Sequence, residues 1–191
     1  MNKSQIQLVI IILLFALPIV AGWILLYNPE LLPKSRSNQG ILLSPPIALP
    51  DFSFIDSNQK LRKSSAAHQG FWTLIMLGTD GDECENSCQK RLYALGQIRK
   101  ALEEDYKKIK RLLILGQNQN VRKVLHKFED SNDFGIAVNI QAVFNPKHEA
   151  DIYLMDPNRD LIMAYTPRHK PKAILKDMQK LLAVNRWGSG H

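Results

Sequence analysis

Hydrophobic and polar residues are distributed unevenly along the chain, and the first feature is a long uncharged run near its start. Residues 6–27 are 22 largely apolar residues without a single charge. At about 1.5 Å of rise per residue, a helix of this length crosses the ~30 Å hydrocarbon core of a bilayer. A cleaved signal peptide has a shorter apolar region and a small-residue cleavage site. The pattern therefore predicts an uncleaved transmembrane anchor, which we assign to residues 1–28.

A proline-rich segment follows the anchor. Residues 29–50 hold five of the ten prolines, together with serine, asparagine and glycine residues. Because proline fixes φ and removes a backbone donor, such a segment does not form a regular helix or a central strand. The sequence predicts a semi-extended tether over residues 29–50. A folded domain of residues 51–186 and a flexible tail of residues 187–191 would follow.

The first half of the domain has the pattern of a strand–helix–strand unit. Residues 51–56 alternate polar and apolar, as a half-buried strand does. Residues 71–78 and 111–116 are near-continuous apolar runs, which are typical of strands buried on both faces. Between these two runs, residues 92–102 place apolar side chains on one helical face. This half predicts a βαβ unit with a right-handed crossover.

The second half predicts a short helix, a hairpin and a final helix. Residues 121–128 carry a short amphipathic helical pattern. Residues 151–155 and 161–165 have strand patterns, joined by a turn with proline at its first central position. Pro171 opens a last helix with a regular apolar stripe. The order βαβ and then ββα predicts an α/β domain with a mixed sheet.

Composition and charge exclude several classes of function. Hydrophobic residues make up 45% and charged residues 23% of the chain, which excludes wholesale disorder. A net charge of +7 is too mild to indicate a nucleic-acid binder, and we expect no nucleic-acid partner. Two cysteines exclude a disulfide-rich scaffold and an all-cysteine zinc or iron–sulfur site within one chain. The sequence also lacks a phosphate-binding glycine loop and an H-E-x-x-H motif.

The two cysteines provide the strongest candidate chemistry. Cys84 and Cys88 stand as C-E-N-S-C between the first buried strand and the helix that follows it. The start of a helix has unpaired N–H groups and a positive dipole end, which stabilise thiolates. Negative charge from Glu83 and Glu85 opposes this effect. The spacing allows a redox-active disulfide, a two-thiolate metal site or a plain structural disulfide.

A cysteine pair at the first strand–helix junction of this element order resembles the thioredoxin fold. The C-x-x-x-C spacing resembles one relative in particular, the Sco/SenC family of membrane-anchored copper proteins that assist cytochrome c oxidase assembly. In that family a further copper ligand is a histidine five residues ahead of a strand that often reads Y-L-x-D-P. Residues 153–157 match that strand, and His148 occupies the histidine position. The resemblance implies a divergent member with a thioredoxin-like fold, in which Cys84, Cys88 and His148 bind copper.

The ligand set that the resemblance implies is chemically consistent with copper. Two thiolates and an imidazole suit Cu(I), and they suit Cu(II) with an added weak ligand. Three methionines could add a thioether, but all of them lie in apolar strand runs and are predicted to pack in the core: Met76, Met155 and Met163. The remaining histidines have no comparable motif around them.

Three functions remain open at this point. The favoured one is a metallochaperone, which is not an enzyme and which delivers copper to the oxidase copper centre. Its partner would be a cytochrome c oxidase subunit or another copper chaperone. The second is a membrane-anchored thiol–disulfide oxidoreductase, in which Cys84 attacks and Cys88 resolves the mixed disulfide. The third is a non-catalytic assembly scaffold with a structural disulfide.

The orientation of the anchor follows from the short segment ahead of it. Five residues precede the uncharged run, so we expect the N-terminus to stay in the cytoplasm. The protein would then be a single-pass protein of the inner (cytoplasmic) membrane. Its C-terminal domain would face the periplasm.

Overall fold

The chain forms two compact units, residues 1–37 and residues 38–191. The computed structural model describes residues 2–28, 38–78, 86–116, 124, 133–138, 140 and 150–188. Of the three predicted copper ligands, Cys88 lies within this part of the chain. Cys84 and His148 lie outside the described residues.

The first unit contains one long helix, α1 (Lys3–Tyr27). Asn2 caps its start, because the Asn2 backbone N–H donates to Gln5 Oε1 at 3.0 Å in a reciprocal capping box. Among the residues that the structure describes, α1 is the one helix whose length and composition suit a membrane span. This finding agrees with the predicted anchor.

The second unit is built on a sheet of eight described strands. Their bounds are β1 (Ile41–Ala48), β2 (Ser53–Asp56), β3 (Leu61–Lys63), β4 (Trp72–Leu77), β5 (Ile109–Leu115), β6 (Phe134–Val138), β7 (Ile152–Met155) and β8 (Asp160–Tyr165). They lie in the order β1-β8-β7-β4-β5-β6-β2-β3. Strands β4, β5 and β6 are parallel, and all other pairs are antiparallel.

Helices pack against both faces of this sheet. The described helices of the unit are α2 (Ser64–His68), α3 (Asn86–Lys100), a 3-10 helix (Glu103–Lys108) and α4 (Pro171–Gly188). Leu74 of β4 packs in one apolar cluster with residues of α3 and α4, whereas Ile75 packs in a second cluster with Phe54 and Tyr153. Strand β4 is therefore buried on both faces, which explains its continuous apolar sequence. The predicted βαβ unit, β4–α3–β5, and the β7–β8 hairpin are confirmed.

The predicted tether is wrong for its second half. Residues 38–50 belong to the second unit, and β1 pairs antiparallel with β8. An edge strand tolerates proline, because one of its sides makes no ladder hydrogen bonds. The register of the pair shifts between Leu42 and Ile47, across Pro45 and Pro46. The domain thus begins more than ten residues before the predicted boundary at residue 51.

Two strands and the end of the chain also differ from the prediction. Strands β3 and β6 were not predicted from the sequence. In β6, Gly135 interrupts the apolar pattern, and the Phe54 ring packs so closely there that a Cβ would not fit. Helix α4 begins at Pro171 as predicted but continues to Gly188, beyond the predicted boundary at residue 186. The helix predicted over residues 121–128 lies outside the described residues, apart from Val124.

A buried carboxylate fixes the start of the second unit. Asp177 of α4 is 1% exposed. It accepts hydrogen bonds from the backbone N–H of Gln39 at 2.9 Å and of Gly40 at 2.8 Å. The Tyr165 hydroxyl donates to the same carboxylate at 3.3 Å. Burial and the adjacent Asp177 raise the pKa of Tyr165 above its ordinary value. These contacts hold the segment before β1 against α4 and β8.

Candidate thiol and metal site

Cys88 lies near the beginning of α3, in the apolar cluster that α3 shares with β4 and β5. It is 7% exposed, so most of its side chain is shielded from water. Its sulfur is disulfide-bonded. The sequence contains one other cysteine, Cys84. The predicted roles of Cys84 and His148 stay predictions, since the structure describes neither residue.

The carboxyl end of β4 is held from both sides just before the cysteine loop leaves it. The Leu77 N–H donates to the Asp151 carbonyl at 2.8 Å, and the Gly78 N–H donates to the Ile114 carbonyl at 2.7 Å. The first bond joins β4 to the segment that enters β7, and the second joins it to β5. In open α/β sheets, binding sites lie outside the carboxyl ends of parallel strands. The loop that carries Cys84 starts at this edge.

An ion pair links the cysteine helix to the entry of β7. Arg91 of α3 pairs with Asp151 through Nη1 and Oδ2. Arg91 follows Cys88 by three residues, which is almost one helical turn, and Asp151 follows His148 by three residues. The Asp151 N–H also donates to the Tyr165 carbonyl at 3.1 Å, which anchors Asp151 to β8. The ion pair therefore connects segments that adjoin two of the three predicted ligands.

The Y-L-M-D-P motif forms a strand followed by a tight turn. Tyr153 is 1% exposed and lies opposite Ile75 of β4, and burial raises the pKa of its hydroxyl. Asp156 accepts hydrogen bonds from the N–H groups of Asn158 and Asp160, both at 2.9 Å. This aspartate closes the β7–β8 turn. The motif therefore fixes the register of the hairpin that begins shortly after His148.

The three methionines are core residues, as predicted. Met76, Met155 and Met163 are each at most 2% exposed and pack in the two apolar clusters of the sheet. Of the other histidines, His169 accepts a hydrogen bond from the Thr166 N–H at 3.0 Å. His68 is buried under β2, and sequence reasoning had assigned it no role.

Sequence reasoning also missed Arg91 and Asp151. Each is one charged residue among many in a chain with 25 basic and 18 acidic residues. A weak signal existed, because Arg91 stands one turn after Cys88 and Asp151 stands at the start of a predicted strand. Arg91 and Asp151 can form their ion pair because β7 pairs with β4 in the sheet.

One family model matches most of the second unit. It is described as the transmembrane-like, thioredoxin-like, C-terminal domain, and it matches residues 72–185. No curated protein matches the chain.

Several solved structures share the fold. ScoI from Arabidopsis thaliana, with copper bound, is 15% identical, with a TM-score of 0.55 over 71% of this chain and 98% of that chain. BsSco, described with a disulfide switch and as a member of the Sco family of cytochrome c oxidase assembly proteins, is 13% identical, with a TM-score of 0.53 over 78% and 99%. A thiol:disulfide interchange protein from Chlorobium tepidum is 12% identical, with a TM-score of 0.51 over 71% and 95%. The predicted thioredoxin-like fold and its resemblance to Sco proteins are confirmed at the level of the fold.

Proposed function

We propose that this chain, which belongs to the transmembrane-like, thioredoxin-like C-terminal domain family, is a membrane-tethered factor for cytochrome c oxidase assembly, the role that the description of BsSco gives to the Sco family. In this proposal the thiolates of Cys84 and Cys88 and the neutral imidazole of His148 bind copper as a cargo. The protein then passes the copper to the copper centre of the oxidase. The apolar helix α1 holds the domain at the membrane surface.

The observation that supports this proposal is the ion pair between Arg91 and Asp151. It joins the helix turn after Cys88 to the residue that enters β7. The Asp151 carbonyl also accepts a hydrogen bond from the Leu77 N–H at the carboxyl end of β4. In this proposal His148, three residues before Asp151 in the sequence, binds the same ion as the cysteines.

The donor set fits copper better than it fits zinc. Soft thiolates and a borderline imidazole favour Cu(I). A structural zinc site usually has four protein ligands, and the resemblance supplies three. Because Cys88 is 7% exposed, we expect copper exchange with a partner to begin at Cys84 and His148. Ligand exchange of this kind moves the ion without releasing it to water.

Copper binding requires the reduced form of the cysteine pair. Two electrons and two protons convert one disulfide into two thiols, and each thiol loses its proton when it binds a metal. Cys88 is disulfide-bonded in the structure, so reduction must precede loading. The proposal therefore makes the redox state of the cysteines a condition for carrying copper.

The test is a Cu(I) titration of the full chain in a non-ionic detergent, fully reduced and against a competing chelator. We expect one ion per chain, with a large loss of affinity in Cys84→Ser and in His148→Ala. His191→Ala is the matched control, since this terminal histidine has no motif around it, and it should bind like the wild type. Unchanged affinity in His148→Ala would contradict the copper site.

A thiol–disulfide oxidoreductase is the second candidate, and the disulfide at Cys88 is consistent with it as well as with a scaffold. The thiolate of Cys84 would attack a substrate disulfide and form a mixed disulfide. The thiolate of Cys88 would then attack this mixed disulfide, which releases the reduced substrate and forms the Cys84–Cys88 disulfide. The electrons come from the reduced pair, which a thiol reductant must restore. His148→Ala would largely keep this reductase activity. A scaffold with a structural disulfide would instead show lower thermal stability on reduction and no activity.

We also propose that the domain faces the periplasm from the inner membrane. A protease added to the outside of spheroplasts should digest the domain of the full chain in the native membrane. Resistance to the protease until the membrane is lysed would contradict this orientation.

A further inference from the structure

A polar cleft of about 460 Å³ lies at the amino ends of β4 and β5. Residues that line it include Phe54, Arg62, Ala67, His68, Lys110 and Phe134. His68 contacts Thr73, the second residue of β4, whereas the cysteine loop follows the last residue of that strand. The cleft and the thiol site therefore lie at opposite ends of the same strand.

The His68 side chain has an unpartnered nitrogen in this cleft. His68 is 2% exposed, and its Nδ1 lies 3.1 Å from Thr73 Oγ1. Its Nε2 is buried and has no hydrogen-bond partner among the described residues. Burial, and then the charges of Lys110 and Arg159, lower the pKa of His68 to about 4, so the ring is neutral at pH 7. A buried polar atom without a partner is unusual and indicates a position where a further polar group fits.

Lys110 supplies a positive charge next to this histidine. Its ammonium group donates to the Ala67 carbonyl and lies 3.8 Å from the centre of the Phe71 ring. It makes no ion pair with any residue in the described part of the chain. Burial lowers the pKa of Lys110. Because desolvation of a cation is unfavourable, an anion beside Lys110 would be stabilised there.

The acidic residues at the cleft already have partners of their own. Asp56 accepts from Arg62 Nε at 3.0 Å and from two backbone N–H groups. Asp133 pairs with Arg111 at 2.6 Å and with Arg99 at 3.4 Å. The positive charge of Lys110 is therefore left without a compensating carboxylate among the described residues.

Part of the cleft wall is apolar and lies beside its polar and charged side chains. Phe54 and Phe134 lie on β2 and β6, and Ala66 and Ala67 lie on α2. The close contact at Gly135 holds the Phe54 ring against β6. A cleft of this size, with polar and apolar side chains side by side, suits a small molecule that has both a charged and an apolar part.

We propose that this cleft binds a small organic carboxylate with an apolar body. The carboxylate accepts hydrogen bonds from Lys110 Nζ and from Nε2–H of His68. In this tautomer the Thr73 hydroxyl donates to Nδ1 of His68. The apolar body of the ligand lies against Phe54 and Phe134. This binding site is independent of the copper proposal, because it uses none of the cysteine-site residues.

The test uses benzoate as the probe and the full chain in a non-ionic detergent, observed through the imidazole NMR signals of His68. Inorganic phosphate supplies the charge without the apolar body, and benzyl alcohol supplies the ring without the charge. We expect a saturable shift of the His68 signals with benzoate, and binding at least tenfold weaker for the other two probes. Lys110→Met should weaken benzoate binding about tenfold, since it removes a charge-assisted hydrogen bond. Lys108→Met, at a 55% exposed side chain outside the cleft, is the matched control and should bind benzoate normally.

Several results would overturn the proposal. One is the absence of a saturable His68 shift with benzoate. If benzyl alcohol bound as tightly as benzoate, the charge would have no role. If phosphate bound as tightly as benzoate, the apolar part of the wall would have no role. Unchanged benzoate affinity in Lys110→Met would remove the assigned cation. The comparison of the three probes uses the wild-type chain, so it decides the proposal even where Lys110→Met fails to fold.

Discussion

Replacing Asp177 with asparagine tests how the second unit holds its first strand. The carboxylate accepts from the backbone N–H groups of Gln39 and Gly40 and from the Tyr165 hydroxyl. Asparagine keeps the shape but has one acceptor oxygen and an NH₂ group. That NH₂ group must face at least one of the donors that now bind the carboxylate.

The magnitude follows from the burial of the donors. Gln39 is exposed, so water can replace its bond, whereas Gly40 is buried and its N–H would stay unsatisfied. A charge-assisted hydrogen bond contributes about 1.5–3 kcal/mol, and an unsatisfied buried donor costs about 1–3 kcal/mol. We expect the free energy of unfolding to fall by about 3 kcal/mol in total. For a unit of this size that corresponds to a Tm about 6–12 °C lower.

The assay is thermal unfolding of the full chain in detergent, followed by near-ultraviolet circular dichroism at pH 7. This signal reports on aromatic side chains, most of which lie in the second unit, and not on the backbone helicity of α1. Tyr165→Phe is the matched control. It removes one hydrogen bond of 3.3 Å, so we expect it to lower the free energy of unfolding by about 1 kcal/mol or less.

Two results would refute this reasoning. The first is a Tm of Asp177→Asn within about 2 °C of the wild type, which corresponds to less than about 1 kcal/mol. The second is an equal loss in Tyr165→Phe, since the hydroxyl bond would then account for the whole effect.

Three further predictions concern other parts of the second unit. Arg91→Met should weaken Cu(I) binding by the reduced chain about tenfold, because the ion pair that positions the entry of β7 is lost; equal weakening in Lys90→Met, an exposed neighbour, would contradict this. The folded-state pKa of His68 is about 4, against 6.5 for an unperturbed histidine. Between pH 4 and pH 6.5 the unfolded chain therefore binds a proton at this residue that the folded chain does not bind. The free energy of unfolding, measured with urea, should therefore be highest above pH 6.5 and fall by about 3 kcal/mol towards pH 4. The same pH dependence in a His68→Gln variant would refute this prediction. Gly135→Ala should lower the free energy of unfolding by about 1–3 kcal/mol through overlap with the Phe54 ring, and urea unfolding with a wild-type midpoint would contradict it.

The elements that could be predicted from the sequence are those with a strong local pattern. Strand β4 is a continuous apolar run because two separate clusters cover its faces. The β7–β8 hairpin was predictable because a proline and an aspartate mark its turn. The position of Cys88 near the start of α3 was predictable because the strand before the loop and the helix after it both have strong local patterns.

The elements that could not be predicted depend on distant partners. Strand β1 contains two prolines, and its place in the sheet depends on β8 and on Asp177, a residue 138 positions from Gln39 in the sequence. The pairing of Arg91 with Asp151 likewise forms across 60 positions of the chain. The burial of His68 follows from its packing under Phe54, with the two ring centres 4.8 Å apart. Local patterns carry no information about such contacts.

The central claim is that two thiolates and one imidazole bind copper in this chain. X-ray absorption at the copper edge of the full chain, reduced and loaded with one Cu(I) ion, tests it most directly. The account predicts two sulfur ligands and one nitrogen ligand, with the nitrogen lost in His148→Ala and kept in His191→Ala. A spectrum with sulfur ligands alone in the wild type, or a nitrogen ligand that persists in His148→Ala, would contradict it.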